Sequence, residues 1–134
     1  MIKKILVADD NQLSRELIRE VLEDPDQKVL EAENGEEAIE SILNEKPDIV
    51  LLDIQMPILS GYDVLRRIRS DPRFDRIPVV ALTAYAMKQD REKALASGFN
   101  AYVTKPIDGA SLRIRVKKML NAQSDSRNGF DEEA

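Results

Sequence analysis

Residues 48–53, Asp48-Ile49-Val50-Leu51-Leu52-Asp53, decide the fold of this 134-residue chain. The four consecutive apolar residues predict a short strand buried on both faces, because a strand with one wet face would alternate apolar and polar residues. Such strands lie at the centre of parallel sheets whose two faces are covered by helices. The stretch therefore predicts an α/β domain, with Asp53 at the end of its central strand.

Other short apolar runs alternate with amphipathic segments on both sides of this strand. Further strands are predicted at 4–8, 28–32, 77–82 and 101–103, each followed by a helix. We expect the first helix to bury one apolar face, made of Leu13, Leu17, Ile18, Val21 and Leu22. The fourth helix, from about 87 to 97, has few large apolar residues and is expected to pack loosely before a cap at Gly98. This (βα)5 alternation predicts a doubly wound, five-stranded parallel sheet.

The composition excludes several classes of chemistry. The chain has no Cys and no His, so it cannot form disulfides, use a thiol nucleophile or a Ser-His-Asp mechanism, build the usual zinc sites or carry a phosphohistidine. Its 20 basic and 25 acidic residues give a net charge of -5, which argues against a general DNA or anionic-membrane binder. No apolar run approaches a membrane span, and we expect a cytoplasmic protein.

Polar side chains follow four of the predicted strands. Asp9 and Asp10 follow the first strand, Asp53 the third, Thr83 the fourth and Lys105 comes just after the fifth. In an open parallel sheet, ligands bind outside the carboxyl ends of the strands. Three carboxylates, a hydroxyl and an ammonium at that edge suit Mg²⁺ and a phosphoryl group, since Mg²⁺ prefers oxygen ligands and a carboxylate can accept a phosphoryl group.

Each of these residues also has an ordinary structural interpretation. An acid such as Asp9 or Asp10 is typical of a helix N-cap or first turn, and Asp53 could be a strand-end turn residue. Thr83 could be a strand or cap residue, and Lys105 a solvated lysine. Their joint placement at successive strand ends is harder to explain by capping, which requires no lysine before a proline.

Five motifs together make the chain resemble the receiver domain of two-component response regulators. They are Leu6-Val7-Ala8-Asp9-Asp10, Asp53-Ile54-Gln55-Met56-Pro57, Ser60-Gly61, Pro78-Val79-Val80-Ala81-Leu82-Thr83-Ala84 and Tyr102-Val103-Thr104-Lys105-Pro106. The resemblance implies the flavodoxin-like strand order 2-1-3-4-5. We expect residues 1–121 to form the receiver domain. Residues 122–134 lack periodicity, are polar and are expected to form a disordered tail.

The resemblance also implies a phosphorylation site and a metal site. Asp53 would be the phosphorylated residue. Asp9 and Asp10 would hold Mg²⁺, or Mn²⁺, together with the Asp53 carboxylate and the backbone carbonyl of Gln55. Lys105 would pair with Asp53 before phosphorylation and with the phosphoryl group afterwards.

A conformational switch is implied as well. Thr83 would bond a phosphoryl oxygen, and Tyr102 would turn inward with it. The Lys105-Pro106 peptide bond would be cis. The resulting change is expected to act on a downstream protein through the face made by the fourth helix, fifth strand and fifth helix.

The subtype resembles DivK-type single-domain regulators and receivers attached to hybrid kinases. Asn100-Ala101 stands where receivers of winged-helix transcription factors carry an acidic pair. We expect a monomeric switch, not an enzyme beyond its own phosphorylation and dephosphorylation, which takes phosphate from a sensor histidine kinase or histidine phosphotransfer protein.

Two alternatives remain open. The chain could be a receiver excised from a hybrid histidine kinase or longer regulator, or a phosphorylation-independent protein-binding module. A small-molecule phosphatase of similar topology would need an acid two residues after Asp53, where Gln55 stands.

Overall fold

A computed structural model describes residues 2–126, in which five strands and five helices alternate along the chain. Their bounds are β1 Lys3–Ala8, α1 Gln12–Leu22, β2 Gln27–Ala32, α2 Gly35–Glu45, β3 Ile49–Asp53, α3 Gly61–Arg69, β4 Val79–Thr83, α4 Lys88–Ser97, β5 Ala101–Thr104 and α5 Gly109–Ser126. The strands form one parallel sheet in the order β2-β1-β3-β4-β5. The predicted fold class and strand order are confirmed.

The central strand is buried as its sequence predicts. Every residue of β3 and β4 is buried, because helices cover both faces of the sheet. One face packs against α2, α3 and α4 through residues such as Ile42, Leu65 and Ala94. The opposite face packs against α1 and α5 through residues such as Ile18 and Leu112. This two-sided core fixes β1, β3 and β4 in register and brings their carboxyl ends to one edge.

The predicted apolar face of α1 is wrong in part. Ile18 and Leu22 are fully buried, whereas Leu13 is 75% and Leu17 48% exposed. Successive helix residues are rotated by about 100°, so Leu17 lies one step around the helix from Ile18. The apolar stripe of α1 is therefore wider than the surface that the sheet can cover, and its uncovered part lies near the carboxyl edge of the sheet.

Helix α4 is held mainly at its C-terminal end. Ala94 is its buried residue, as expected from its polar sequence. Gly98 caps the helix at φ 115°, a left-handed conformation that suits glycine. At the other end Met87 occupies the N-cap, where its thioether makes no capping hydrogen bond. The helix consequently contributes little to the core.

Several predicted boundaries differ from the structure by one residue or more, and two of these differences have a clear cause. Strand β4 begins at Val79 because Pro78 has no N–H to donate, although the Pro78 carbonyl still accepts a hydrogen bond from Val50. Helix α5 continues to Ser126, five residues past the expected end of the domain, since no glycine or proline interrupts residues 110–126. The rest of the predicted tail, 127–134, lies outside the described residues.

Within residues 2–126, no helix combines the length and the apolar character that crossing a bilayer requires.

Candidate functional site

The site lies at the carboxyl edge of the sheet, where three acids meet. Asp9 follows β1 and is fully buried, Asp53 ends β3 and is 5% exposed, and Asp10 is exposed. Carboxylate oxygens of the three residues lie within 4.8 Å of one another. The structure therefore brings together the three acids that the sequence placed at strand ends.

Neither Asp9 nor Asp10 caps a helix. Helix α1 begins at Gln12, and its N-cap is Asn11, whose side chain accepts a hydrogen bond of 2.9 Å from the Ser14 amide. The Asp9 carboxylate instead accepts a hydrogen bond of 2.9 Å from the amide of Asn11, two residues further along the chain. The capping interpretation of these two acids is thus wrong, and both are left to face the site.

Burial dominates the electrostatics of Asp53. It raises the pKa of Asp53 from 3.8 to about 6, and the negative charge of Asp9 adds to the effect. The Gln55 amide, which donates to Asp53 Oδ1 at 2.9 Å, and the Lys105 ammonium act in the opposite direction. At neutral pH the carboxylate is therefore mostly ionised but poorly solvated, a state that favours reaction with an electrophile.

Lys105 bridges two of the carboxylates. Its Nζ lies 2.7 Å from Asp9 Oδ2 and 3.2 Å from Asp53 Oδ2. Burial opposes the charge of Lys105, but hydrogen bonds and attraction from Asp9 and Asp53 outweigh it and raise the pKa of Lys105. The resemblance implied the Asp53 contact; the shorter contact to Asp9 is an addition from the structure.

Backbone geometry holds Lys105 in place. The Lys105 amide donates to the Thr83 carbonyl at 2.8 Å, and the peptide bond between Lys105 and Pro106 is cis. These two features hold the backbone of Lys105 beside the end of β4, from where its side chain reaches the acids.

Thr83 and Tyr102 are connected through one residue of the loop after β4. Thr83 is buried, and its Oγ1 accepts a hydrogen bond of 3.1 Å from the Tyr85 amide. The Tyr102 hydroxyl is turned inward and donates to the Tyr85 carbonyl. Burial raises the pKa of Tyr102, so this hydroxyl is a donor at neutral pH. Any movement of Thr83 toward Asp53 would pull on the backbone that Tyr102 bonds.

A glycine allows the next helix to approach the end of β3 closely. A Cβ on Gly61 would lie 2.6 Å from the Asp53 carbonyl oxygen and 2.7 Å from Ile54 Cα. These are backbone atoms, which cannot move aside cheaply. Gly61 thus lets α3 begin directly behind Asp53, where Ser60 and Asp63 form a capping box.

The residues present fit a magnesium ion. Two buried carboxylates and one exposed carboxylate supply hard oxygen donors, and one exposed side leaves space for the waters that Mg²⁺ retains. Such donors also suit Mn²⁺. The part played by the Gln55 carbonyl stays a prediction.

One contact of the site was not predicted from the sequence. Arg15 of α1 donates from Nη1 to the Asp9 carbonyl at 2.7 Å. An arginine in the first turn of a helix is normally solvated. The signal that could have found it is its spacing, because Arg15 lies one turn after Asn11 on the side of the helix that faces the site.

Comparison with known proteins identifies the family. Residues 5–117 match the model of the response regulator receiver domain. The chain is 37% identical over 120 residues to the polar-differentiation response regulator DivK of Brucella anthropi, covering 90% of this chain and 98% of that protein. It is 43% identical over 108 residues to an uncharacterized 14.6 kDa protein of Leptolyngbya boryana, covering 81% and 82%.

Solved structures agree with the sequence comparison. The receiver domain of the Francisella response regulator 1452 is 30% identical, with a TM-score of 0.84 over 90% of this chain and 98% of that one. The chemotaxis protein CheY4 of Vibrio cholerae shares the fold at 22% identity, with a TM-score of 0.82 over 89% and 99%. This chain belongs to the response regulator receiver family and has the phosphoryl-accepting function of two-component signalling.

Proposed function

We propose that Asp53 accepts a phosphoryl group from a phosphohistidine of a sensor histidine kinase or a histidine phosphotransfer protein. The observation that carries this assignment is the position of Asp53: a buried carboxylate at the end of the central strand, with two further acids and Lys105 around it. These 134 residues contain no histidine, so the phosphohistidine that serves as donor lies outside them.

The reaction exchanges one bond to phosphorus for another. An Asp53 carboxylate oxygen attacks phosphorus, the bond from phosphorus to the donor nitrogen breaks, and a proton goes to the departing imidazole. Lys105, 3.2 Å from Asp53 Oδ2, balances the negative charge that arrives. Asp9, Asp10 and Asp53 would hold Mg²⁺, or Mn²⁺, with the Gln55 carbonyl as a further ligand. When bound, the ion would neutralise charge on the phosphoryl oxygens.

Exposed apolar residues around the site support a protein as the donor. Leu13 in the first turn of α1, Ile58 after β3 and Met87 after β4 are 75%, 67% and 62% exposed. All three lie in segments that follow the carboxyl ends of β1, β3 and β4, the edge at which the acids lie, and apolar side chains exposed at that edge favour a protein contact. A small phosphodonor alone would not require them.

We propose that the output is a second protein contact, made by α4, β5 and α5. A cleft between these elements is lined by Arg91, Tyr102, Pro106 and Arg115, among others. Tyr102 reaches this cleft and bonds the loop that also contacts Thr83. The phosphorylation state of Asp53 can therefore alter a surface that lies outside the site.

The remaining parts of the proposal follow from this exchange. The chain acts as a monomeric switch and not as an enzyme on other molecules, apart from its own phosphorylation and dephosphorylation. We also propose a cytoplasmic location for the chain. We propose that residues 122–134, the first five of which continue α5, take no part in the reaction.

Phosphoramidate tests the function with a small donor, because its P–N bond resembles that of phosphohistidine. With Mg²⁺ the chain should gain one phosphoryl mass, and with a chelator it should gain almost none. Asp10→Asn should reduce the rate at limiting Mg²⁺, while Asp26→Asn, an exposed acid away from the site, should react normally. Equal rates with and without chelator would rule out the proposed metal dependence.

A further inference from the structure

Arg15 is unusually buried for an arginine on the first turn of an exposed helix. Its side chain is 11% exposed and bonds two different elements. Nη1 donates to the Asp9 carbonyl at 2.7 Å, and Nε donates to Glu31 Oε1 of β2 at 3.1 Å. The guanidinium therefore joins the end of β1 to the end of β2 beneath the loop that begins the acidic site.

All the polar groups of Asp9 have partners in this arrangement. Its amide donates to the Ala32 carbonyl at 3.1 Å, and its carboxylate accepts from the Asn11 amide and from Lys105. Its carbonyl is the group that Arg15 binds. Three of these contacts hold Asp9 itself, whereas the fourth fixes the peptide plane between Asp9 and Asp10.

We propose that Arg15, held by Glu31, is a positioning residue for the magnesium-binding loop. The inference rests on the proposed metal-binding role of Asp9 and Asp10. The Asp10 side chain is exposed, so its direction depends on its backbone more than on packing. The orientation of the preceding carbonyl sets that backbone, because the peptide unit is planar. Arg15 thus acts on the Asp10 carboxylate without touching it.

Glu31 contributes charge balance and direction. Burial opposes the ionisation of Glu31, but hydrogen bonds from Arg19 and Arg15 outweigh it and lower the pKa of Glu31. The resulting carboxylate neutralises Arg15, so the guanidinium adds no net positive charge beneath a cation site. An arginine presents its N–H groups on separate nitrogens of a rigid fork, so Nε can bond Glu31 while Nη1 bonds the Asp9 carbonyl, whereas a lysine would have to reach both acceptors from one nitrogen.

Arg19 provides a matched control. It also bonds Glu31, at 2.8 Å, but it is about half-exposed and its other hydrogen bond among the described residues goes to Glu23. Replacing Arg19 removes a cation and one Glu31 contact from the same helix and leaves the Asp9 carbonyl bond in place.

The test compares Mg²⁺ binding by Arg15→Met and Arg19→Met, followed through backbone amide shifts of the full chain. Arg15→Met should raise the Mg²⁺ dissociation constant about tenfold, the usual scale for losing an outer support of a metal site. Before Mg²⁺ is added, its amide shifts should differ from those of the unchanged chain at 9–11. At saturating Mg²⁺ its phosphorylation rate should return to within about twofold, because Arg15 does not contact Asp53. Arg19→Met should bind Mg²⁺ normally.

Other outcomes would overturn the inference. They are an unchanged dissociation constant in Arg15→Met, an equal rise in both variants, or a lower maximal rate without weaker binding. If Arg15→Met does not fold, Arg15→Lys, which keeps the charge and can reach one acceptor, should still raise the dissociation constant at least about threefold. Failure of the unchanged chain to bind Mg²⁺ would instead refute the proposed function, and the inference with it.

Discussion

Asp53 carries a charge that the surrounding fold opposes. Its carboxyl keeps a proton up to a pH of about 6 in the folded chain but loses it near 3.8 when solvated. A carboxyl whose pKa is raised by folding destabilises the folded chain when it is ionised. This destabilisation is absent at a pH below 3.8, grows as the pH rises from 3.8 to about 6, and is complete at higher pH. The acceptor site is therefore a source of instability at neutral pH.

Asp53→Asn should accordingly stabilise the chain at pH 7.5 in the presence of a chelator. The shift corresponds to about 3 kcal/mol, and solvent screening at the open side of the site reduces the expected gain to about 1–2 kcal/mol. Urea unfolding at a series of pH values measures it. The stability gain of Asp53→Asn over the unchanged chain should shrink as the pH falls from 6 toward 4. A constant difference across that range would show that the Asp53 charge is not its cause.

Substitution of Lys105 should destabilise the chain, because Lys105 compensates the charge of two buried carboxylates. Lys105→Met leaves Asp9 and Asp53 without their shared cation, and breaking a buried pair costs about 3 kcal/mol. Mg²⁺ should stabilise this variant more than the unchanged chain, since the dication replaces the missing charge. Urea unfolding with chelator and with Mg²⁺ measures both effects.

Lys117→Met is the matched control for that experiment. Lys117 lies 3.4 Å from Asp24 in an exposed pair, and such pairs contribute little. Lys117→Met should lower the free energy of unfolding much less than Lys105→Met does, and Mg²⁺ should not change this difference. Equal losses in the two lysine variants would contradict the bridging role of Lys105.

At the residue scale, the sequence predicted which acids would meet but not how each is held. Asp9, Asp10 and Asp53 follow strands whose ends must share an edge, so their proximity follows from topology. The bond from Lys105 to Asp9 and the bond from Arg15 to the Asp9 carbonyl depend on side-chain conformations, which periodicity does not encode.

Among the elements, α4 and β5 are the pair best placed to transmit a change. Helix α4 buries Ala94, and its first turn follows the loop that bonds both Thr83 and Tyr102. An element with few buried contacts can shift at low cost. A phosphoryl group can move it only by contacting Thr83 better in one state than in the other.

Beryllofluoride with Mg²⁺, which mimics the phosphoryl group, should therefore shift backbone amides at 83–97 and 100–105 as well as around Asp53. Thr83→Ala should still accept the mimic but show reduced shifts in α4 and β5. Amide shifts confined to α1 and α2 would place the output on another face. An unaltered distal response in Thr83→Ala would remove this threonine from the switch.

Element boundaries and faces show where a sequence pattern is insufficient. Strands β1, β3 and β4 were predictable because four apolar residues in a row need burial on both sides. The buried face of α1 was not predictable in full, because its apolar stripe is wider than the surface that the sheet covers. Leu13 and Leu17 therefore remain exposed. The end of α5 was missed because polar residues without a breaker are compatible with helix and with coil alike.

At the scale of the whole molecule, charge argues for protein partners and against DNA. The net charge is -5. Three of the four basic residues of α5 make contacts within the chain: Arg113 donates to the Val21 carbonyl at 3.1 Å, Arg115 to the Tyr102 carbonyl at 3.5 Å, and Lys117 pairs with Asp24. Few cations are then left for phosphate contacts along that helix.

We expect no DNA binding by fluorescence anisotropy at physiological salt, with or without beryllofluoride. A DNA-binding chain would show an affinity that falls steeply as salt increases. Such a salt-dependent signal would require a basic surface that the described residues do not account for.

The proposed function requires Asp53 to be the phosphoryl acceptor, and peptide mapping after reaction with acetyl phosphate and Mg²⁺ tests this requirement. We expect one added phosphoryl mass on the intact chain, located to Asp53 by trapping the acyl phosphate with a nucleophile before digestion. Asp53→Asn should gain none under the same conditions, whereas Asp48→Asn, an acid at the opposite end of β3, should react. A phosphoryl mass on another residue, or its retention by Asp53→Asn, would contradict the account.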